Sequence, residues 1–331
     1  ATLAGSAMAQ SNVTVYGLID AGLVRESGGL SSGNTLLGSG IAAGSRLGFK
    51  GREDIGNGMA GVFTLESGYN IDTGAMGQGA LFGRQAFVGL ETTAGNVYLG
   101  RQYTPLFLTV NAIDPFGGAS MAGSGANMLA EGGIRMNNTV KYVMPKAGPF
   151  SAEVAHGFGE QSGSTSNGRT IGAKAGYVSG PLSMHLGYHR ENGLTGSSTG
   201  RNIMVGGTYD LKVFKAHLGL QSNKGLVIIN FRPIANTDTR DLIVGATVRF
   251  GVNTLLASYT IKDDRGTSNA DAKQIAVGFS HPLSKRTDLY ASVGHIDNDA
   301  PAGSGRFYTV GNGSSQGTGN KAYNVGMRHV F

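Results

Sequence analysis

Apolar and polar residues alternate along most of this chain with a period of two. Residues 12–25 set Val13, Val15, Ile19, Ala21 and Leu23 against Thr14, Tyr16 and Asp20. Successive strand side chains point to opposite faces, so this pattern predicts a strand with one apolar and one polar face. Residues 45–51 repeat it, with Leu47 and Phe49 against Arg46 and Lys50, and residues 61–70 set Phe63, Leu65 and Tyr69 against Thr64 and Glu66. At 81–90 the phase slips through Phe87, Val88 and Leu90, which predicts a bulge. Val97 and Leu99 then alternate with Tyr98 and Gly100, in a fifth segment at 95–102. Beyond residue 138 the alternation is cleaner, as in Leu182, Met184, Leu186 and Tyr188 against Ser183, His185 and His189. With the last segment at 323–331, sixteen such segments can be counted.

The links between them differ in kind. Short ones at 54–58, 92–95, 145–149, 179–181, 210–211, 251–252 and 282–285 alternate with longer Gly- and Ser-rich ones such as 26–44, 71–80, 160–168, 191–200 and 297–319. An even number of roughly ten-residue strands, with short turns at one end and long loops at the other, describes a transmembrane β-barrel. Closure removes the unpaired strand edges that lipid does not tolerate. Glycines at polar-phase positions are expected to keep the inside open, and Tyr142, Tyr177, Tyr188, Tyr209, Phe214 and Phe250 to form interfacial girdles. One connection stands apart. Residues 103–137 show no alternation, yet carry Leu106, Phe107, Leu108, Val110, Ile113, Phe116, Met121, Met128 and Leu129. A loop of that length is usually functional or disordered, and disordered segments are poor in such residues. It is therefore expected to pack inside the barrel.

Composition changes the picture in a few places. The 331 residues include 56 glycines and no cysteine, which excludes thiol chemistry, disulfides and Cys-based metal sites. No apolar run is long enough for a membrane helix. The net charge of +6 is spread along the chain, with no basic block of the nucleic-acid kind. Residues 1–9 are small and apolar and end in Ala7, Met8 and Ala9, the pattern of a signal-peptidase site. They are expected to be the tail of an export signal, with Gln10 the first mature residue and 10–331 the barrel.

Several motifs, in order, carry a resemblance: VTVYG at 13–17 with Asp20, SRLGFKG at 45–51 with Glu53 and Asp54, FTLESG at 63–68, RQAFVGL at 84–90, YLGRQ at 98–102, IRMNN at 134–138, LSKRT at 283–287 and GMRHVF at 326–331. Together they resemble the trimeric general porins of Gram-negative bacteria, in particular the beta-proteobacterial group. The resemblance covers essentially all of 10–331. It implies a 16-stranded antiparallel transmembrane β-barrel, all-β, assembled as a homotrimer in the outer membrane among lipid and lipopolysaccharide. It further implies that the third external loop, here 103–137, folds inward to narrow the pore. A wall of arginines facing that loop maps onto Arg46, Arg84 and Arg135, with Arg101 at another wall position, and the aromatic C-terminal strand with Tyr323 and Phe331 is the signal read by the assembly machinery.

Guanidinium stays charged at any relevant pH, and like charges along one wall mark a wet surface, so such a cluster favours anions. Lys50 and Tyr16 share its polar face; Asp114 and Glu131 on the loop, with Asp20 and Glu66 on the wall, are the acids expected to oppose it across a transverse field. The alternative is that each arginine is neutralised by a strand carboxylate such as Glu66 or Asp20. Catalytic readings find little. Ser183, His185 and His189 share a face, but no nucleophile elbow, metal spacing or phosphate loop accompanies them. No cofactor is implied. The reading is a passive channel for ions and small hydrophilic solutes, anion-preferring. Its rivals are a substrate-specific channel, for which Tyr16, Tyr98 and Tyr103 are the available aromatics, and a secreted all-β adhesin with no pore.

Overall fold

The strand segments follow the chain in antiparallel pairs and return to their start. In the computed structural model, which describes residues 12–30, 33–196, 198–229, 232–311 and 317–331, the first of them is β1 (Asn12–Ser27). It is followed by β2 (Asn34–Ser39), β3 (Arg46–Gly56), β4 (Met59–Gly68), β5 (Gln85–Thr92) and β6 (Gly95–Tyr103). A helix, α1 (Pro105–Ile113), then precedes β7 (Arg135–Val143), β8 (Phe150–Gly157), β9 (Thr170–Ser179), β10 (Leu182–Asn192) and β11 (Thr199–Asp210). The sheet ends with β12 (Phe214–Ile229), β13 (Arg232–Phe250), β14 (Asn253–Asp264), β15 (Ala272–Pro282), β16 (Thr287–Asn298) and β17 (Lys321–Val330). Each pairs with its neighbour, and β17 closes on β1 from Leu18↔Val330 to Ser27↔Lys321. The seam is completed by Phe331, whose backbone exchanges hydrogen bonds of 3.0 and 3.1 Å with Gly17 while its ring lies on the bare Cα of that glycine. The expected signal tail at 1–9, with Gln10, lies outside the described residues.

Seventeen segments make a sixteen-stranded barrel because β2 and β3 are one barrel strand broken in the middle. Both pair with β1 on the same side, β2 with residues 21–26 and β3 with residues 12–18. Between them residues 40–45 leave the ladder, and Asp20 of β1 holds the excursion. Its carboxylate accepts the N–H groups of Ile41, Ala42 and Ala43 at 3.2, 2.9 and 2.7 Å, and the hydroxyl of Tyr290 from β16. The expected bulge in the segment carrying Phe87 does not form. β4 and β5 pair without a slip, and Phe87 faces inward edge-on to Tyr98 at 5.4 Å. The irregularity lies instead in β6, between Gly100 and Gln102. Residues 222–229 and 232–241 extend the β12–β13 hairpin beyond the segments that the alternation predicts. Asn223, Thr239 and Asp241 are polar residues of its lower part, and Leu226, Val227, Ile228 and Ile229 form a continuous apolar run at its outer end, so neither part shows a period of two.

The apolar phase forms the outer face. Leu23, Leu186, Val205, Leu218, Leu220 and Ile275 are exposed, while their neighbours in the other phase are half-buried or buried; at the short-turn end Val13 and Val15 are exposed together with Thr14. Aromatics mark the short-turn end of this band: Phe150 on Tyr177 at 5.2 Å, Phe250 on Phe279 at 6.3 Å, and Tyr142 donating to Ala94 O at 2.7 Å. Such a band with aromatic ends suits a bilayer core and its interface. The N–H and C=O groups along it are taken up by the ladder, which lipid requires. A Cβ at Gly17 would sit 2.3 Å from Phe331 Cζ and 2.8 Å from Arg46 O. Gly17→Val is therefore expected to destabilise the closed barrel by about 1–3 kcal/mol. Gly61→Ala, where an added Cβ meets nothing, serves as the control. Denaturant midpoints in detergent micelles compare the two, and equal shifts would show that the seam tolerates a side chain at Gly17.

Candidate functional site

Residues 103–137 are organised from both ends. Thr104 makes the backbone bond that closes the base, donating N–H to Ile134 O at 3.0 Å, and its hydroxyl donates to Gly133 O at 2.9 Å. The same hydroxyl caps α1 by accepting Phe107 N–H at 3.0 Å, with Pro105 in the first turn. A Thr-Pro pair at a helix start satisfies an orphan N–H and presets the first φ. This start signal was legible in a segment read as having no regular structure. From α1 the chain crosses the polar-phase face of one half of the barrel, and glycines make the room. A Cβ at Gly172 would meet Pro105, at Gly187 Thr109, at Gly206 and Gly219 Ile113, at Gly245 Pro115, and at Gly278 Phe116. These glycines do not keep the inside empty; they form a track on which the segment lies. Leu106, Val110, Ile113, Met128 and Leu129 are thereby buried.

Polar anchors fix its path. His217 Nδ1 meets Ile113 O at 2.8 Å, Gln221 donates to Leu129 O at 2.9 Å, and Gln274 donates to Ala122 O at 2.8 Å. Met121 N–H reaches across to Ile41 O at 2.8 Å, tying the segment to the excursion that Asp20 holds. Both acids of the segment serve this anchoring. Asp114 is buried and accepts the N–H groups of Gly125 at 2.7 Å and Phe116 at 3.0 Å. Glu131 is buried against Lys262, at 3.1 Å, and accepts the Tyr308 hydroxyl at 3.0 Å; Lys262 also binds Asp241 at 2.7 Å. Tyr308 belongs to the connection before β17, which also folds over the segment through Gly311 N–H donating to Asn127 at 3.0 Å. Burial pushes the Glu131 carboxyl up to about 7, against the pull of the Lys262 ammonium. It likewise pushes Asp114 up to about 7, against its two N–H donors.

The opposite half of the barrel carries the arginines. A gap of about 320 Å³ lies between the two, lined on one side by Arg46, Arg84, Arg135 and Arg328 and on the other by Leu108, Asn111, Phe116 and Ser120. Arg84 is buried and paired with Glu66, Nε to Oε1 at 2.7 Å, while Tyr16 donates to the other Glu66 oxygen at 3.0 Å. For this arginine the neutralised alternative is the correct one. Arg135 donates to Arg84 O at 2.9 Å and lies 4.9 Å from the centre of the Tyr103 ring, and Tyr103 also accepts from Arg84 at 2.7 Å. Arg46 is paired through its backbone with β1 and β4, but its guanidinium has neither a hydrogen bond nor an ion pair among the described residues.

Four expectations need correction. Asp20 is fully buried and binds backbone, so it contributes no charge to the gap. Asp114 and Glu131 face into the anchoring contacts, and neither lines the gap. Arg101 stays apart from the others: its guanidinium goes to Gly83 O at 2.8 Å and to Asn137, and it pairs in register with Ala86. Lys50 is exposed over the Tyr16 ring at 5.3 Å, lining a separate recess with Arg52, Phe87 and Tyr98. One member was missed as a gap residue. Arg328 reaches it from β17, bonded to Asp288 at 2.9 and 3.2 Å, and its inward phase was the available signal. Ser183 and His185 do meet, at 2.8 Å, but His185 Nδ1 is buried without a hydrogen-bond partner, and His189 abuts Gly132 elsewhere.

A closed barrel with an apolar outer band and a charged inner gap defines a membrane-channel class of protein. The family model described as Gram-negative porin matches residues 1–301, and the chain belongs to that family. It is 32% identical to the outer membrane porin protein 32 of Delftia acidovorans, over 99% of this chain and 96% of that one. It is 29% identical to an outer membrane porin protein of Bordetella pertussis, over 100% of this chain and 97% of that one. Among solved structures, the anion-selective porin from Comamonas acidovorans superposes with a TM-score of 0.81 at 28% identity, covering 97% of this chain and 100% of the other. The protein is thus an outer-membrane porin.

The raised carboxyls set a pH dependence. Folded Asp114 keeps its proton to about 7, whereas its unfolded reference is 3.8. Between these values the folded segment binds more protons than the unfolded one, so its local stability falls as pH rises through that window. Amide hydrogen exchange, corrected for intrinsic rate, should show Gly125 and Phe116 less protected at pH 8 than at pH 5. Asp114→Asn should reduce that difference. An unchanged difference in the variant would assign the pH dependence to other groups.

Proposed function

We propose that this porin is a water-filled diffusion channel for ions and small hydrophilic solutes that prefers anions, with residues 103–137 as its constriction. The polar-phase face of a closed barrel is its inside, and that is the face on which the segment rests. The observation that carries the reading is the charge balance of the gap. Arg84 and Arg328 are offset by Glu66 and Asp288, but Arg46 and Arg135 have no ion-pair partner among the described residues. Every acid that could oppose them is buried in an anchor or a pair. Low-dielectric walls strengthen the resulting positive field and concentrate anions at the narrowest point. The anion selectivity of the Comamonas porin agrees with this reading.

Three further parts belong to the proposal. The protein works as a homotrimer, as one neighbouring solved structure, OmpT of Vibrio cholerae, is described in a trimer form. Outer-membrane lipid and lipopolysaccharide surround its apolar band. Phe331, with Tyr323 exposed on the same strand, is the feature the assembly machinery reads, and its place at the seam gives it a structural part as well.

Reversal potential across a tenfold salt gradient tests the selectivity. Wild type is expected on the anion side. Arg46→Glu replaces an unpaired cation with an anion and should move the potential toward, or past, zero at low salt. The effect should shrink near 1 M salt, where the Debye length is about 3 Å. Arg84→Glu is a poorer probe, since it would bury a second carboxylate against Glu66. A wild type that prefers cations would overturn the assignment.

A further inference from the structure

The two walls of the gap differ in chemistry, not only in charge. Arg46, Arg84, Arg135 and Arg328 line one side. The other is formed by Leu108 and Phe116, both half-buried, with neutral Asn111 and Ser120 between them. Its acids have turned away: Asp114, two residues before Phe116, points into the segment and binds Phe116 and Gly125 N–H. A stacked aromatic floor joins the walls. Phe107 lies on Tyr103 with centroids 5.4 Å apart and planes 20° from parallel, and Arg135 covers the Tyr103 ring.

From this arrangement we propose that the gap is a subsite for small organic monoanions with an apolar body, of the aromatic carboxylate class. The inference rests on the anion-channel reading and names the solute class that the same site favours. A carboxylate takes two parallel N–H donors of a guanidinium, and Arg46 offers its donors uncommitted. A flat apolar ring attached to that carboxylate then lies against Leu108 and Phe116 and removes their surface from water. Chloride and acetate use only the arginine side and leave the apolar side wet. A neutral aromatic uses only the apolar side. The gap of about 320 Å³ has room for such a molecule, and water around the arginines keeps its binding weak enough for release. The preference for a benzoate-sized anion over acetate should be on the order of tenfold in apparent affinity, the gain from burying a few ring carbons.

The test uses the purified protein in planar bilayers at fixed potassium chloride. Reversal potential is measured first, before any organic acid is added, so that a cation-preferring wild type overturns the underlying reading and is distinguished from failure of the subsite. Chloride current is then titrated with benzoate, acetate and benzyl alcohol. Benzoate should reduce the current at about one tenth of the acetate concentration, and benzyl alcohol should have no effect in the same range. The benzoate-to-acetate ratio, taken within one variant, cancels changes in pore geometry. Phe116→Asn and, separately, Leu108→Asn should bring that ratio toward one, whereas Arg46→Gln should weaken both acids. Equal half-blocking concentrations of benzoate and acetate in wild type would overturn the proposal. So would a ratio that survives both loop substitutions, or a block by benzyl alcohol as strong as that by benzoate.

Discussion

Hydrocarbon offers a backbone no hydrogen-bond partners, and the rest of this structure follows from that constraint. Every strand must find neighbours on both sides, so the sheet returns on itself and β17 pairs with β1. The closure decides what each face can do. One phase of the alternation meets lipid and is apolar; the other is free to be charged, hydrated or covered by protein. Even the seam obeys the rule, since Phe331 supplies the final backbone pair through Gly17.

Within the barrel the two halves divide the labour. One half presents glycines, amides and the buried Lys262, and holds residues 103–137 in place. The other presents the arginines, with Arg84 buried against Glu66 and Arg46 and Arg135 half-buried along the gap. Carboxylates are used for holding: Asp20 fixes the excursion between β2 and β3, Asp114 fixes the turn after α1, and Glu131 with Asp241 meets Lys262. A buried carboxylate with partners on several elements is a strong positional constraint, since removing one partner leaves an uncompensated charge. The charge character of the gap is therefore a consequence of where the acids are committed as much as of where the arginines stand.

Much of this was legible residue by residue. Val13, Val15, Leu186 and Leu220 announced the outer face, and the short and long links announced the two ends. Arg46, Arg84 and Arg135 line one gap, and Arg328, which lines it too, could have been added from its phase. The helix α1 was missed although Thr104 and Pro105 marked its start, because no alternation or helical period stood out in a segment buried on several sides. The extension of β12 and β13 shows no alternation for a related reason: polar residues such as Asn223, Thr239 and Asp241 are followed by the unbroken apolar run from Leu226 to Ile229, and the period of two loses its contrast.

What the sequence by itself determined is the set of properties that a strand expresses locally. Facing is a matter of odd and even positions, and strand length and turn length are read along the chain, so the class, the strand count and the outer surface needed no partner to be visible. Only the tertiary structure decided which charges remain available. Arg84 is paired with Glu66, Lys262 is shared by Glu131 and Asp241, and Asp20 is bound by Tyr290, a residue 270 positions away. Whether an acid faces water or a buried partner depends on such distant contacts. In a closed barrel those contacts are set by the return of the sheet and the path of residues 103–137, neither of which leaves a periodic mark in the sequence.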